Sequence, residues 1–195
     1  ARDFAGDRAF LLKTTMPCKG WHMPGWKRIL LVLFVVGLVV CLDQWSKTIV
    51  ESRLPRDRVL YLAGGVLKID YRLNRGGVLS FESALPRQWR GPVLSLAASA
   101  GVGLLIVLVL AGWISRPLSV FSISLFCGGS LGNLLDRTVL GGDVIDFLSL
   151  GWGNLRTCIF NMADVAVVAG LGLLALSILG NLRHAFMKKP LGTPS

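Results

Sequence analysis

Charged residues are scarce in this chain of 195 residues. They make up 16% of the sequence, whereas hydrophobic residues make up 53%, and the mean hydropathy is +0.62. A soluble domain of this length carries more charge and less apolar sequence. The composition therefore excludes an ordinary soluble domain and predicts an integral membrane protein.

Two kinds of ligand pattern are also missing. The four cysteines form no CxxC pair and no Cys/His spacing typical of a metal site, so the sequence predicts no metal and no cofactor. The formal net charge is +10, but the 21 basic residues are dispersed along the chain and form no single patch. Dispersed basic residues argue against a nucleic-acid partner, and they favour contacts with the phosphate-rich headgroups of membrane lipids.

Uncharged segments long enough to cross a bilayer as helices occur at residues 91–114, 117–135 and 165–182. Residues 29–42 form a shorter one, and because a span needs about 20 residues, this helix is predicted to continue through Asp43 and Lys47. No small-x-small cleavage site precedes Asp43, so the span is not a cleaved signal peptide. We predict a membrane all-α bundle of four transmembrane helices, at about 28–48, 91–114, 117–136 and 160–182.

A segment between the first two spans has a different period. Its apolar residues alternate with polar ones, at Leu67, Ile69, Tyr71 and Leu73. This alternation is typical of a strand with one apolar face. Gly64 and Gly65 predict a hairpin turn from a short strand at residues 59–62. We therefore predict a small β-sheet on the membrane surface, within residues 57–82.

The ends of the chain carry no periodic pattern. Residues 1–26 are predicted to form a poorly ordered leader, and residues 186–195 a tail, on either side of one domain at 27–185. Met23 is a candidate start, and a chain that begins there is expected to keep its activity. Residues 142–164 are predicted to form a loop followed by the start of the fourth helix.

Ionisable residues beside apolar segments are the most informative feature, because a charge at membrane depth is costly unless it is paired or faces a polar cavity. Asp146 and Asp164 both have apolar neighbours. Asp43 and Lys47 stand four residues apart with the acid first, which favours an ion pair on one helical face. A solvated helix end is the alternative for this pair.

The third span ends in a second polar group. Asn133, Asp136 and Arg137 lie near one helical face, unless they form a helix end with interfacial charges. Gly128 and Gly132 have the spacing that allows close helix contact.

Four spans would place both termini on one side of the membrane and residues 51–90 and 136–156 on the other. Nine polar residues then meet at one membrane face: Asp43, Lys47, Asn74, Asn133, Asp136, Arg137, Asp146, Asn161 and Asp164. Lys and Arg are equally numerous on the two sides, so the positive-inside rule does not set the orientation.

Two aspartates that meet in a partly desolvated site share one proton, as in the aspartic proteases. Asn161 fits a helix N-cap and Asp164 the third helical position, where negative charge is favoured, whereas the apolar neighbours of Asp146 favour its neutral form. The reaction predicted is attack of an activated water on a carbonyl group. A proton-coupled transporter and a non-catalytic scaffold are the alternatives, but the sequence has no inverted repeat.

Five sequence blocks, in order from Asp43 to Asp164, resemble those of the lipoprotein signal peptidases (signal peptidase II), the bacterial aspartic peptidases of the inner membrane. The blocks are DQWSK at 43–47, NRGG at 74–77, GNLLDR at 132–137, VIDF at 144–147 and FNMAD at 160–164. The resemblance implies removal of signal peptides from diacylglyceryl-modified prolipoproteins by cleavage before the lipidated cysteine. It also implies sensitivity to the antibiotic globomycin.

The resemblance further implies roles for individual residues. Asp146 and Asp164 match the catalytic pair. Residues that match the substrate pocket are Asn74, Gly76, Asn133, Arg137 and Asn161. Residues that match its polar support are Asp43, Lys47 and Asp136. After NRGG this chain continues with VLSF, whereas the family has small residues before the Phe, and this difference affects the pocket near Asn74.

The family also implies a place in the cell. The sheet would form a periplasmic cradle, the active site would lie at the periplasmic face, and both termini would be cytoplasmic. The expected partners are lipid-modified prolipoproteins and membrane lipids, and we expect a monomer.

Overall fold

The computed structural model describes residues 22–74, 87–153 and 155–187. Within these residues the helices are α1 (Gly25–Arg53), α2 (Arg87–Leu110), α3 (Pro117–Val139) and α4 (Met162–Met187). The strands are β1 (Val59–Leu62), β2 (Leu67–Asn74), β3 (Val144–Trp152) and β4 (Leu155–Arg156), and a short 3-10 turn at Ala63–Gly65 links the first two.

Among the described residues, three helical segments are long and apolar enough to cross a membrane: Gly25–Arg53, Pro117–Val139 and Met162–Leu182. In α2 the apolar segment runs over Ser95–Leu110. Helix α1 continues without a break to Arg53, which confirms that the first apolar segment extends through Asp43 and Lys47.

The predicted leader and tail fall largely outside the described residues. Helix α1 begins at Gly25, within the predicted leader, of which residues 1–21 are not described. Helix α4 ends at Met187, and residues 188–195 of the predicted tail lie outside the described part of the chain.

Helix α3 contacts the three other helices. Its side chains Val120, Ile123 and Cys127 are buried in the main apolar core. A Cβ atom on Gly128 would lie 2.9 Å from the Cβ of Val39 on α1, so the predicted close helix contact is present. Small residues thus let α3 approach its neighbours closely enough for polar side chains beyond them to meet.

The sheet is antiparallel, with the strand order β1-β2-β3-β4. Val59 lies opposite Asp70, and Leu62 opposite Leu67, so the predicted hairpin between residues 59 and 74 is confirmed. Gly64 and Gly65 have φ values of 66° and 91°, which a glycine adopts without strain. Residues 75–82, the rest of the predicted β segment, lie outside the described residues.

Strand β3 was not predicted, and the expectation of a loop at these residues is wrong. Val144, Ile145, Asp146 and Phe147 are all buried, so successive residues show no alternation between an apolar and a polar face. Strand β3 pairs with β2 and places Asp146 opposite Arg72. A loop prediction therefore missed the element that carries Asp146.

A second apolar cluster joins the end of α1 to the sheet. Its buried members are Leu54, Tyr71, Ile145 and Phe147. The cluster fixes β2 and β3 over the end of the helical bundle, and this brings Asp146 close to the polar ends of α3 and α4.

Candidate active site

Asp146 is buried on β3, with 3% of its surface exposed. The side-chain amides of Asn74 and Asn161 each donate to one of its oxygens, both at 2.8 Å. Burial raises the pKa of Asp146 to about 6; the hydrogen bonds from Asn74 and Asn161 oppose this effect, and the charge of Asp164 adds to it. The buried site therefore favours the protonated form of this carboxyl group more strongly than bulk water does.

Asp164 lies in the first turn of α4 and is only half-buried. Its Oδ2 accepts the backbone N–H of Asn161 at 3.1 Å, and its own N–H donates to the Asn161 Oδ1 at 2.9 Å. This reciprocal pair is a capping box, as the sequence predicted. The amide of Asn133 donates to the other oxygen of Asp164 at 2.8 Å. The carboxylate of Asp164 thus accepts two N–H groups at a helix N-terminus, where the helix dipole places partial positive charge.

Asn161 connects the two aspartates. It is fully buried, and its Nδ2 lies 2.8 Å from the Asp146 Oδ1 and 2.9 Å from the Asn133 Oδ1. Its backbone N–H binds Asp164 at the same time. The structure thus brings together two carboxyl groups in unlike environments on either side of one asparagine.

A buried ionic cluster lies beside this pair and consists of Asp43, Lys47 and Asp136. The three residues are 0%, 2% and 4% exposed. The Nζ of Lys47 lies 2.6 Å from the Asp43 Oδ2 and 2.8 Å from the Asp136 Oδ2. A buried ammonium group needs such partners, because an unpaired charge would cost several kcal/mol. The alternative prediction of a solvated helix end for Asp43 and Lys47 is therefore wrong.

The ionic cluster also binds the backbone next to each aspartate. The Asp43 Oδ1 accepts the N–H of Ala163 at 2.9 Å, one residue before Asp164. The Asp136 Oδ2 accepts the N–H of Ile145 at 3.0 Å, one residue before Asp146. The cluster therefore fixes β3 and the start of α4 relative to α1 and α3.

Gln44 belongs to this network, although its position in the sequence does not predict a role for it. Its Nε2 lies 2.8 Å from the Asp136 Oδ1 and 3.2 Å from both the Asp43 Oδ2 and the Gly132 carbonyl oxygen. A glutamine near the end of a helix is as often a surface residue as a member of a buried network. The only feature of the sequence that pointed to the network is the position of Gln44 next to Asp43.

Arg137, another predicted site residue, does not join the network within the described part of the chain. The side chain of Arg137 is half-buried and forms no hydrogen bond or ion pair with the residues that the structure describes. Gly76 lies outside the described residues. Within the described ranges, no group of three His, Cys, Asp or Glu side chains could hold a metal ion.

Comparisons with known proteins agree on one family. Residues 35–180 match the family model described as "Signal peptidase (SPase) II". The chain is 31% identical over 153 residues to the lipoprotein signal peptidase of Syntrophus aciditrophicus (strain SB), which covers 78% of this chain and 94% of that protein. It is 37% identical over 145 residues to that of Syntrophomonas wolfei, covering 73% and 88%.

Two solved structures share the fold. One is described as a bacterial membrane enzyme at 2.3 Å resolution; it aligns with a TM-score of 0.67 and 23% identity over 89% of this chain and 98% of that one. A second bacterial membrane enzyme, at 1.9 Å, aligns with a TM-score of 0.61 and 25% identity over 82% and 96%. The likeness supports the arrangement of apolar helices with a small antiparallel sheet.

Proposed function

Because the chain belongs to the signal peptidase II family of membrane proteases, which remove signal peptides from prolipoproteins, we propose that Asp146 and Asp164 form its catalytic pair. The observation that carries this proposal is their common contact with Asn161. The reaction would be hydrolysis of the peptide bond just before a diacylglyceryl-modified cysteine.

The unlike environments suggest different roles for the two carboxyl groups. Asp164 accepts two N–H groups at a helix N-terminus and is half-buried, so it is the ionised general base that takes a proton from the attacking water. Asp146 has a raised pKa, so it holds the proton and donates it toward the carbonyl oxygen of the scissile bond. As Asp164 takes this proton, the oxygen of water bonds to the carbonyl carbon and a gem-diol forms. Asp164 then donates the same proton to the amide nitrogen as the C–N bond breaks, and Asp146 takes a proton back from one hydroxyl of the gem-diol, which becomes the product carboxylic acid.

The asparagines would orient the aspartates as well as line the substrate pocket. In this structure the amides of Asn74, Asn133 and Asn161 bind carboxylate oxygens of Asp146 or Asp164. Arg137 has no carboxylate partner among the described residues, so we assign it to carbonyl groups of the substrate. Gly76, next to Asn74 in the NRGG block, would leave room for the peptide backbone.

The position of the aspartates along the helices supports a topology of four membrane spans. Asp43 and Lys47 lie in the second half of α1, Asp136 near the end of α3, and Asp164 at the start of α4. These positions share one end of the bundle when successive spans alternate in direction. With this end at the periplasmic face of the inner membrane, both termini are cytoplasmic. We also propose that the protein acts as a monomer.

Topology can be measured with reporter fusions. Reporters after Arg116 and after Ser195 are expected to indicate the cytoplasm, and one inserted near Pro86 the periplasm. Finding the Pro86 and Ser195 reporters on the same side would exclude four spans.

Cleavage of one precursor in lipidated and unlipidated forms tests the proposed specificity. Burying each CH₂ group contributes about 0.8 kcal/mol, so a two-chain lipid anchor offers far more binding energy than the few side chains near the scissile bond. The purified protein in detergent should process the lipidated precursor much faster, and globomycin should inhibit it. Equal rates for the two forms would indicate a general membrane peptidase.

A further inference from the structure

A cleft of about 520 Å³ lies between the turn that links α2 to α3 and the residues before α1. The residues of its lining that matter here are His22, Gly112, Trp113, Ser115, Arg116 and Ser119. Arg28 beside the cleft and Lys47 beside the aspartates are separated along α1 by about 28 Å, at about 1.5 Å per residue. This is close to the thickness of a bilayer core, about 30 Å, so the cleft and the aspartates lie at opposite membrane faces.

The wall of the cleft is built by specific contacts. The N–H of Met23 donates to the carbonyl oxygen of Ser115 at 2.9 Å, and the His22 Nδ1 lies 2.6 Å from the Ser115 Oγ. Gly112 has a φ of 89°, and a Cβ atom there would lie 3.2 Å from the Arg28 Nη2. These contacts join the residues before α1 to the turn between α2 and α3.

The cleft carries positive charge without a compensating carboxylate. Arg116 lines it, and the guanidinium of Arg28 lies behind Gly112 and donates to the carbonyl oxygens of Met23 and Leu110 at 3.3 and 3.5 Å. The Arg28 Nε is buried and has no hydrogen-bond partner among the described residues. None of the described lining residues is acidic, and neither arginine forms an ion pair with a described carboxylate. A cleft with charge of one sign attracts counter-ions.

Backbone donors add to this charge. Helix α3 has Arg116 as its N-cap and Pro117 as its first residue, and no side chain caps it. The N–H groups of Leu118 and Ser119 in its first turn therefore have no acceptor within the helix. Ser119 lies in the wall of the cleft. A helix N-terminus flanked by basic side chains is an arrangement that binds phosphate groups.

We propose that this cleft binds a phosphate group, either that of an anionic phospholipid headgroup or free phosphate. Arg116 would contact the phosphate oxygens directly, and Arg28 would contribute its charge from behind the turn. Trp113 is 83% exposed next to the cleft, as is typical of aromatic residues at a membrane interface. The site is distinct from the proposed peptidase centre and does not depend on the reaction carried out there.

The test uses the full-length protein in detergent. Native mass spectrometry measures the binding of short-chain phosphatidylglycerol, and thermal unfolding measures the effect of inorganic phosphate. Arg116→Gln removes the exposed cation of the cleft, and Arg28→Met removes the charge behind it. Arg58→Gln is the matched control, because Arg58 is exposed in the connection between α1 and β1, away from the cleft.

We expect wild type and Arg58→Gln to bind one phosphatidylglycerol molecule about tenfold more tightly than Arg116→Gln does, the effect of losing one charged hydrogen bond. Arg28→Met should weaken binding in the same direction. Stabilisation by inorganic phosphate that Arg116→Gln abolishes would identify free phosphate as a ligand too; without it, the lipid headgroup is the ligand. If wild type and Arg116→Gln bind both probes equally, or neither probe binds, the proposal is wrong.

Discussion

The Oδ1 of Asp43 accepts a hydrogen bond from the backbone N–H of Ala163 at 2.9 Å, although the two residues are 120 positions apart in the chain. Asp164 follows Ala163, so a carboxylate of α1 sets the position at which the second aspartate enters α4. The same carboxylate binds Lys47 through its other oxygen. The placement of Asp164 therefore depends on an ion pair in another helix.

Asp136 holds the backbone next to Asp146, as Asp43 holds the backbone next to Asp164. Its Oδ2 binds both the Ile145 N–H and the Nζ of Lys47. A single ammonium group thus neutralises the two carboxylates that hold the backbone next to Asp146 and Asp164.

Replacing either proposed catalytic residue should abolish cleavage without unfolding the protein. Asp146→Asn and Asp164→Asn keep the shape of the side chain but remove the proton-transfer group, and because the pair acts as a unit, each loss should cost about as much as losing both. The measurement is the rate of cleavage of a lipidated precursor, with folding checked by gel filtration. Asp57→Asn, at an exposed position in the turn before β1, is the control and should keep full activity. Substantial activity in one of the two variants would remove that aspartate from the reaction.

Activity should fall as the pH rises above about 6. Burial raises the pKa of Asp146 to about 6, and the proposed mechanism needs its protonated form, so deprotonation at higher pH removes the proton donor. The hydrogen bond from Asn74 favours the ionised form, so Asn74→Ala should raise this pKa further and move the alkaline limb of kcat/KM to higher pH. Because Asp146 and Asp164 interact, the apparent pKa read from this limb is a property of the pair and not of one residue. A limb that moves to lower pH in Asn74→Ala would contradict the assignment of the proton to Asp146.

Lys47→Met should destabilise the protein by about 3–5 kcal/mol, because it leaves two carboxylates buried without their cation. Thermal unfolding in detergent measures the loss. Lys27→Met is the control; Lys27 is exposed and lies over the ring of Trp26 at 5.3 Å, so its replacement should have little effect. Equal stability of the two variants would mean that the ionic cluster contributes nothing to folding.

Gly132→Ala should reduce both stability and activity. The new Cβ atom would lie 2.7 Å from the Asp43 Oδ2, which is held by Lys47 and cannot move without breaking the ion pair. Gly172→Ala in α4 is the matched control, since a Cβ atom there meets nothing within 4 Å, and alanine favours a helix over glycine. Unfolding temperature and cleavage rate should fall for Gly132→Ala alone. An unchanged rate in that variant would show that the position of Asp43 is not critical.

The sequence alone determined the features that depend on local pattern. The uncharged segments predicted the apolar helices, and alternation from Leu67 to Leu73 predicted β2 with its hairpin. The spacing of Asn161 and Asp164 predicted the capping box at the start of α4. In each case the residues that interact are near neighbours in the chain, so their spacing carries the information.

Tertiary structure alone decided which polar groups from different helices and strands bind one another. Asn74 reaches Asp146 from β2, Asn133 reaches Asp164 from α3, and Gln44 reaches Asp136 from α1. Their separation in the chain leaves no spacing from which the partners could be predicted.

Strand β3 is a secondary-structure element that the sequence pattern did not predict. Val144 to Phe147 are all buried, because Ile145 and Phe147 pack in the apolar cluster with Leu54, whereas Asp146 between them binds Asn161 at the start of α4. A strand covered on both sides needs apolar residues throughout, and this removes the alternation by which a sequence identifies a strand. Only the packing of the sheet on the bundle made these residues a strand and placed Asp146 beside Asn161.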